Sequence, residues 1–345
     1  MELKVFDSAK PISRGEVDGL IYLYGDQMYL MDHTVDRIIK KFGVDDEDVL
    51  LFEGERVDLD RLCEEIVNIS FFQSKICLIS HFSPENAKDS LLNKLADVAE
   101  FLGNGNILIV KEEYKEENAK TKRAQAKKYR DFADKNGVLI DCNKPDRMLC
   151  IRHLHNFAEK RGIAIERDEI TLLFDRCGEN MLLTETELVK LSAYCGDNPI
   201  DKQAIIKLTY PTTEAAVFTM VGSLMTGNLT NSLVMLGRLF ESREEPAKIL
   251  GALASSFIDI YRIKAGEYQA LSREELASKF KYRPNDYGLK KAYSNARNIT
   301  MQQMHVVLNI LNDLDVALKS TSTDPQILFE KALISIRLAL TERGN

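Results

Sequence analysis

Through position 141 the chain alternates short apolar runs with longer amphipathic ones, and this alternation restricts the fold more than any other feature. The runs Leu20–Tyr24 (LIYLY), Val49–Phe52 (VLLF), Lys75–Ile79 (KICLI), Asn106–Val110 (NILIV) and Val138–Asp141 (VLID) are short, β-branched or aromatic, and bounded by Gly, Asp or Ser. Those traits mark strands. The stretches between them, Tyr29–Phe42, Leu59–Ile69, Lys88–Phe101 and Glu117–Asn136, read as helices. Strand and helix in strict alternation predict a parallel sheet covered on both faces.

After Asp141 the strand signal stops and only helical periodicity remains. Asn143-Lys144-Pro145 opens a helix that Arg161-Gly162 closes, and Asp168 is expected to cap one ending near Cys177-Gly178. Thr184 with Glu187 three residues on matches a capping box that would open Glu185–Tyr194. A break at Tyr210-Pro211-Thr212-Thr213 precedes longer amphipathic helices. On the predicted helix Met301–Lys319, positions 304, 307, 308, 311, 314 and 318 make an apolar stripe of helical period. The expected fold class is α/β then all-α, in three domains: 1–142 α/β, 143–210 small helical, 211–345 helical bundle. A chain of 345 residues has room for them at about 150 residues per domain.

Composition narrows the function classes. With 45% apolar and 29% charged residues the chain can bury a core. A net charge of −7 gives no overall basic field to attract nucleic acid. The basic helix with Lys120, Lys122, Arg123, Lys127, Lys128 and Arg130 is interrupted by Glu116, Glu117 and Asp131, and reads as a solvated face. None of the six cysteines forms a C-x-x-C pair, so they read as reduced core residues of a cytoplasmic protein. No leader pattern opens the sequence, and no apolar run nears the roughly 20 residues that span a bilayer.

An α/β domain followed by a small helical one suggests a P-loop ATPase with its lid, and the turn after the first strand tests this. A Walker A loop needs G-x-x-x-x-G-K-[ST], because backbone amides cradle phosphate and lysine neutralises it. Here Gly25 keeps the first glycine, but Leu30 replaces the second, Met31 the lysine and Asp32 the Ser/Thr. A carboxylate there without lysine repels a nucleotide, so no cofactor is expected. His153 and His155, two apart, fall on different faces of a helix and make a poor metal pair. The run Asp45-Asp46-Glu47-Asp48 lacks the turn and second cluster of a calcium site, and no G-x-S-x-G elbow occurs. No catalytic or metal-binding residue is expected.

Four motifs in order carry a family resemblance: Tyr22-Leu23-Tyr24-Gly25-Asp26, then Ser70-Phe71-Phe72-Gln73-Ser74-Lys75 leading into ICLI, Glu187-Leu188-Val189-Lys190-Leu191, and Leu224-Met225-Thr226-Gly227-Asn228 before Leu233, Leu236, Leu239 and Glu245-Pro246. The order resembles the delta subunit of bacterial DNA polymerase III clamp loaders across nearly the whole chain. That resemblance implies an AAA+-like α/β domain, a lid-like helical domain and a C-terminal collar domain. It implies binding of the β sliding clamp and holding one clamp interface open for loading onto primed DNA, without ATP hydrolysis by this chain. The implied partners are gamma/tau ATPase subunits and delta-prime in a hetero-pentamer, with DNA met through the assembled complex. The clamp contact it implies is Phe71 and Phe72, with Ser70 alongside. On the residues alone, both rings read as core tucked under the sheet edge, because apolar residues at element ends are usually core. The rival readings are a degenerate P-loop ATPase and a DNA-binding scaffold of another replication or repair complex.

Overall fold

The computed structural model describes residues 1–345 apart from 55–56, 69–73, 88, 114–119, 283–286, 298 and 342–345. The chain forms two compact units, Met1–His153 and Leu154–Asn345.

The first unit runs β1 (Glu2–Lys4), α1 (Ala9–Arg14), β2 (Leu20–Tyr24), α2 (Met28–Phe42), β3 (Leu50–Glu53), α3 (Leu59–Val67), β4 (Lys75–Phe82), α4 (Asp89–Val98), β5 (Asn106–Glu112), α5 (Lys120–Asn136) and β6 (Val138–Asp141). The strands form one sheet in the order β1-β6-β2-β5-β4-β3, every pair parallel. Successive strand residues point to opposite faces, and both faces are apolar. Ile21, Leu23, Ile107, Ile109 and Ile140 bury one face with Leu30, Met31 and Ile38 of α2. Leu20, Tyr22, Leu108, Val110 and Leu139 bury the other with Leu62 and Ile66 of α3, Leu91 of α4 and Tyr129 of α5. This two-sided burial is why the strands read as continuous apolar runs.

In the first unit, β1 and α1 escaped the sequence patterns. The short β1 (ELK) has one apolar residue, and a Lys4–Asp141 ion pair fastens it to β6. The helix α1, with Pro11 inside it, is too short for a periodic stripe. The predicted strand Lys75–Ile79 continues to Phe82 through a register irregularity, with His81 at φ 51°.

The boundary between units falls inside α6 (Arg147–Lys160). The second unit continues through α7 (Arg167–Arg176), α8 (Met181–Cys195), α9 (Lys202–Leu208), α10 (Thr213–Thr226), α11 (Leu229–Glu241), α12 (Pro246–Tyr268), α13 (Arg273–Lys279), α14 (Tyr287–Ala296), α15 (Met301–Ser320) and α16 (Pro325–Thr341). The fold class is therefore α/β then all-α, as the patterns predict. On α15, Met304, Val307, Leu311 and Leu314 are buried, with Leu308 and Leu318 packed at their margin.

Two capping expectations fail. Asn180, not Thr184, caps α8, accepting from Leu183 N at 2.9 Å; Thr184 lies one turn in, buried, and donates to Asn180 O. Asp168 lies in the first turn of α7, behind Glu166 at the cap position. In each case the true start is one or more residues earlier because buried apolar residues, Met181 in α8 and Ile170 in α7, set the helix phase.

Candidate functional site

In an open α/β sheet, ligands usually bind at the carboxyl ends of the strands, and the β2–α2 turn is where a P-loop would lie. Gly25 sits at φ 133°, and a Cβ there would fall 2.3 Å from the backbone N of Asn143. The glycine is thus required by the close approach of the chain leaving β6. Cys142 N donates to Tyr24 O at 2.7 Å, and Gln27 N donates back to Cys142 O at 3.1 Å. The Asp26 carboxylate accepts from Lys144 N and from Gln27 Nε2, both at 2.9 Å. The turn is stitched to the tail of β6, and the Gln27 amide is committed to protein.

Leu30 and Met31 are buried on the α2 face of the sheet. The lysine slot of a P-loop is here a core position. Asp32 is half-exposed and pairs with Lys111 Nζ, from the end of β5, at 2.5 Å. A cation near the phosphate position is therefore already paired with a carboxylate.

The other region of interest lies at the opposite, amino-terminal end of β4. Ser70, Phe71 and Phe72 lie outside the described residues, so the geometry available is that of their flanks, α3 with Asn68 and Ser74 with β4. In α3, Asp58 caps the start, accepting from Arg61 N at 3.1 Å, and Leu62 and Ile66 are fully buried. Buried Asn106, at the head of β5, donates through Nδ2 to Ile66 O at 2.8 Å and to Phe101 O at 2.7 Å. Lys75 Nζ donates to Glu65 O at 2.7 Å and to Glu65 Oε2 at 2.6 Å. The Lys75 bond holds the Glu65 carboxyl below its usual range. The last turn of α3 is thereby tied to the heads of β4 and β5. Val67, closing α3, and Leu51, on the edge strand β3, are exposed apolar residues at 45% and 66%.

Sequence patterns did not single out Glu65 or Lys111, and they placed Asp26 and Lys75 in motifs and Asn106 at a strand head without assigning them partners. Their partners lie far along the chain, and the one local signal is a polar residue heading an apolar run, as in Lys75 and Asn106.

The remaining candidates disperse. His153 stacks on Phe6 with ring centroids 4.6 Å apart, while His155 meets Glu159 at 3.6 Å. Arg130 of α5 turns inward to buried Glu112, which also accepts from Tyr22 OH at 2.8 Å, while Lys127 and Lys128 are exposed. Burial pushes the Tyr22 hydroxyl well up, with Glu112 adding to the effect. Cys77, Cys142, Cys150 and Cys177 are buried free thiols, and burial pushes Cys77 and Cys177 up to about 11. Among the described residues, no group of three or more His, Cys, Asp or Glu could hold a metal ion, and no helix is long and apolar enough to cross a membrane.

Comparison with known proteins follows this geometry. The family model "DNA polymerase III, delta subunit" matches residues 22–143, from β2 to the residue packed on Gly25. The model "DNA polymerase III delta subunit, C-terminal domain" matches residues 214–336. Together they take in more than half of the chain. The DNA polymerase III subunit delta of Bacillus subtilis (strain 168) is 22% identical over 346 residues, covering 96% of each protein. The solved structure of the Bacillus subtilis DNA clamp loader delta protein matches with a TM-score of 0.68 at 21% identity, over 97% of this chain and 99% of that one. At that identity the structural likeness speaks for the fold. The two family matches settle the lineage: the chain belongs to the DNA polymerase III delta-subunit family.

Proposed function

We propose that this delta subunit works within a clamp loader, binding the β sliding clamp through Phe71 and Phe72, with Ser70 alongside, and holding one clamp interface open. It does so without hydrolysing ATP, as a non-catalytic member of the DNA-directed DNA polymerase holoenzyme. Residues 143–210 serve as a lid-like domain and 211–345 as the collar that meets the gamma/tau ATPase subunits and delta-prime in a hetero-pentamer. Primed DNA is met through that cytoplasmic assembly.

The observation that carries this reading is the anchoring on both sides of the aromatic pair. Lys75 on Glu65 and Asn106 on Ile66 O fasten the end of α3 and the start of β4, which limits the conformational entropy lost when a partner engages. Aromatic anchors dominate protein interfaces when their pockets are dry. The absence of hydrolysis is supported by the β2–α2 turn, where a buried methionine replaces the phosphate-binding lysine.

Titration calorimetry of the purified chain against its own β clamp, beside a Phe71→Ala/Phe72→Ala variant, tests the contact. Hot-spot aromatics contribute on the order of 2 kcal/mol each, so affinity should fall about a hundredfold or more in a variant of unchanged Tm. Tight binding that survives the double substitution would move the contact elsewhere, and no binding by the wild type would overturn the function.

A further inference from the structure

Within the second unit, Arg176, Lys207, Thr209, Tyr210, Arg238 and Glu241 are among the residues around a cavity of about 250 Å³ at the passage from α9 into α10. Three cationic side chains face one carboxylate in that set. The Arg176 guanidinium is partly buried and held by neutral groups: Nε donates to Thr209 Oγ1 at 2.8 Å and Nη2 donates to Thr209 O. Thr209 Oγ1 in turn donates to Ile205 O at 2.8 Å, and Thr212 N donates to Arg176 O at 2.9 Å. This lattice fixes the guanidinium while supplying no negative charge. Arg238 of α11, which also lines the cavity, is exposed, and no hydrogen bond or ion pair joins its guanidinium to a described residue. Burial lowers the Arg176 pKa from its ordinary value; Cys177 and Glu187 oppose that lowering, and the nearby Arg238 charge adds to it.

Arg176 and Arg238 repel each other beside this cavity, and although Glu187 and Glu241 lie nearby, no carboxylate of a described residue is hydrogen-bonded to either guanidinium. An oxyanion between them reverses the sign of that interaction. Guanidinium groups match the oxygens of phosphate in a two-pronged geometry and carry little hydration to shed. A cavity of about 250 Å³ has room for a phosphate group with several waters, at roughly 30 Å³ per water. At the rim, Tyr210 is 78% exposed, and Lys207 Nζ lies over the Tyr194 ring at 5.9 Å. Exposed rings beside cations are the arrangement on which bases stack in single-strand binding.

We propose that this cavity binds a phosphate group, held between Arg176 and Arg238 with Tyr210 at its mouth. The group could be delivered as free phosphate or pyrophosphate, or on a nucleic-acid strand; the recognition chemistry is the same. All of its lining residues belong to the second unit.

The test uses the full chain at constant ionic strength in phosphate-free buffer. Calorimetry with inorganic phosphate and pyrophosphate is run on the wild type, Arg238→Ala and Arg238→Lys, with Tm recorded for each. The exposed position of Arg238 makes unfolding of these variants unexpected. Saturable binding that raises Tm, falls about tenfold or more in Arg238→Ala and partly returns in Arg238→Lys supports the site. Fluorescence anisotropy of a 5′-phosphorylated single strand and its 5′-hydroxyl twin then separates the sources. A strand displaced by pyrophosphate assigns the group to nucleic acid, and a strand that is not displaced assigns it to the free ion. Absence of saturable binding up to about 10 mM, equal binding by Arg238→Ala, or equal displacement by chloride would overturn the proposal.

Discussion

At the β2–α2 turn, packing accounts for the residues one at a time. Met31 is fully buried on the α2 face of the sheet, and Gly25 is needed because the backbone of Cys142 and Asn143 passes against it. Restoring the lysine alone should therefore not restore a nucleotide site. Met31→Lys would place a charge in an apolar core without a partner, and should destabilise the fold by about 3 kcal/mol or more. Urea unfolding measures the loss, and a fluorescent ATP analogue measures the gain expected to be nil. Nucleotide binding by a stable Met31→Lys chain would contradict this account of the turn. The three substituted positions, Leu30, Met31 and Asp32, were legible in the sequence because a P-loop is a fixed spacing. The Asp32–Lys111 pair and the Asp26–Lys144 bond were not, because the fold alone brings those residues together.

Among the elements, turns and edges show where local chemistry decides. Gly227 ends α10 at φ 90°, and Asn228 caps α11 by accepting from Asn231 N at 3.0 Å. Arg337 covers the turn, and a Cβ on Gly227 would stand 3.0 Å from its Nη2. Gly227→Ala should lose about 1–2 kcal/mol from the left-handed backbone alone, read from the urea midpoint; an unchanged midpoint would refute the strained turn. The attachment of β1 depends on pH. Burial pushes Asp141 upward, but the Lys4 bond and the Asn143 donors outweigh it, leaving the carboxyl below its usual 3.8. Lys4 is raised above its usual 10.5, chiefly by its bond to Asp141. The carboxylate's contribution is therefore present above the unfolded value and lost as pH falls through the lower folded one. The lysine's contribution is full below 10.5 and lost as pH rises through its raised value. Lys4→Met should lower Tm at pH 7, and the gap to wild type should close on acidification below 3.8; a gap independent of pH would exclude the pair as its cause. The buried strands and long helices were legible from apolar periodicity. In contrast β1 escaped because backbone pairing with β6 and an ion pair, not an apolar pattern, hold it, and the α8 cap escaped because Thr184 carries a capping signature yet is buried within the helix.

For the whole molecule, the parallel sheet separates the two regions of interest. The β2–α2 turn lies at the carboxyl ends of the strands, while Asn68 and Ser74 flank the aromatic pair at the amino end of β4. Substitutions at distant sites act independently, so Asp32→Ala should leave clamp affinity within about 0.5 kcal/mol of wild type. A tenfold loss in the same calorimetric titration would tie the two ends together and contradict that separation. The central claim is that the chain opens the clamp by binding alone. The most direct test loads labelled β clamp onto a closed circular DNA, adds the purified chain without nucleotide, and follows clamp retention by gel filtration. The account predicts release well above the spontaneous rate with the wild type and none above it with Phe71→Ala/Phe72→Ala. Retention of the clamp in the presence of wild-type chain, or release only when ATP is added, would contradict it.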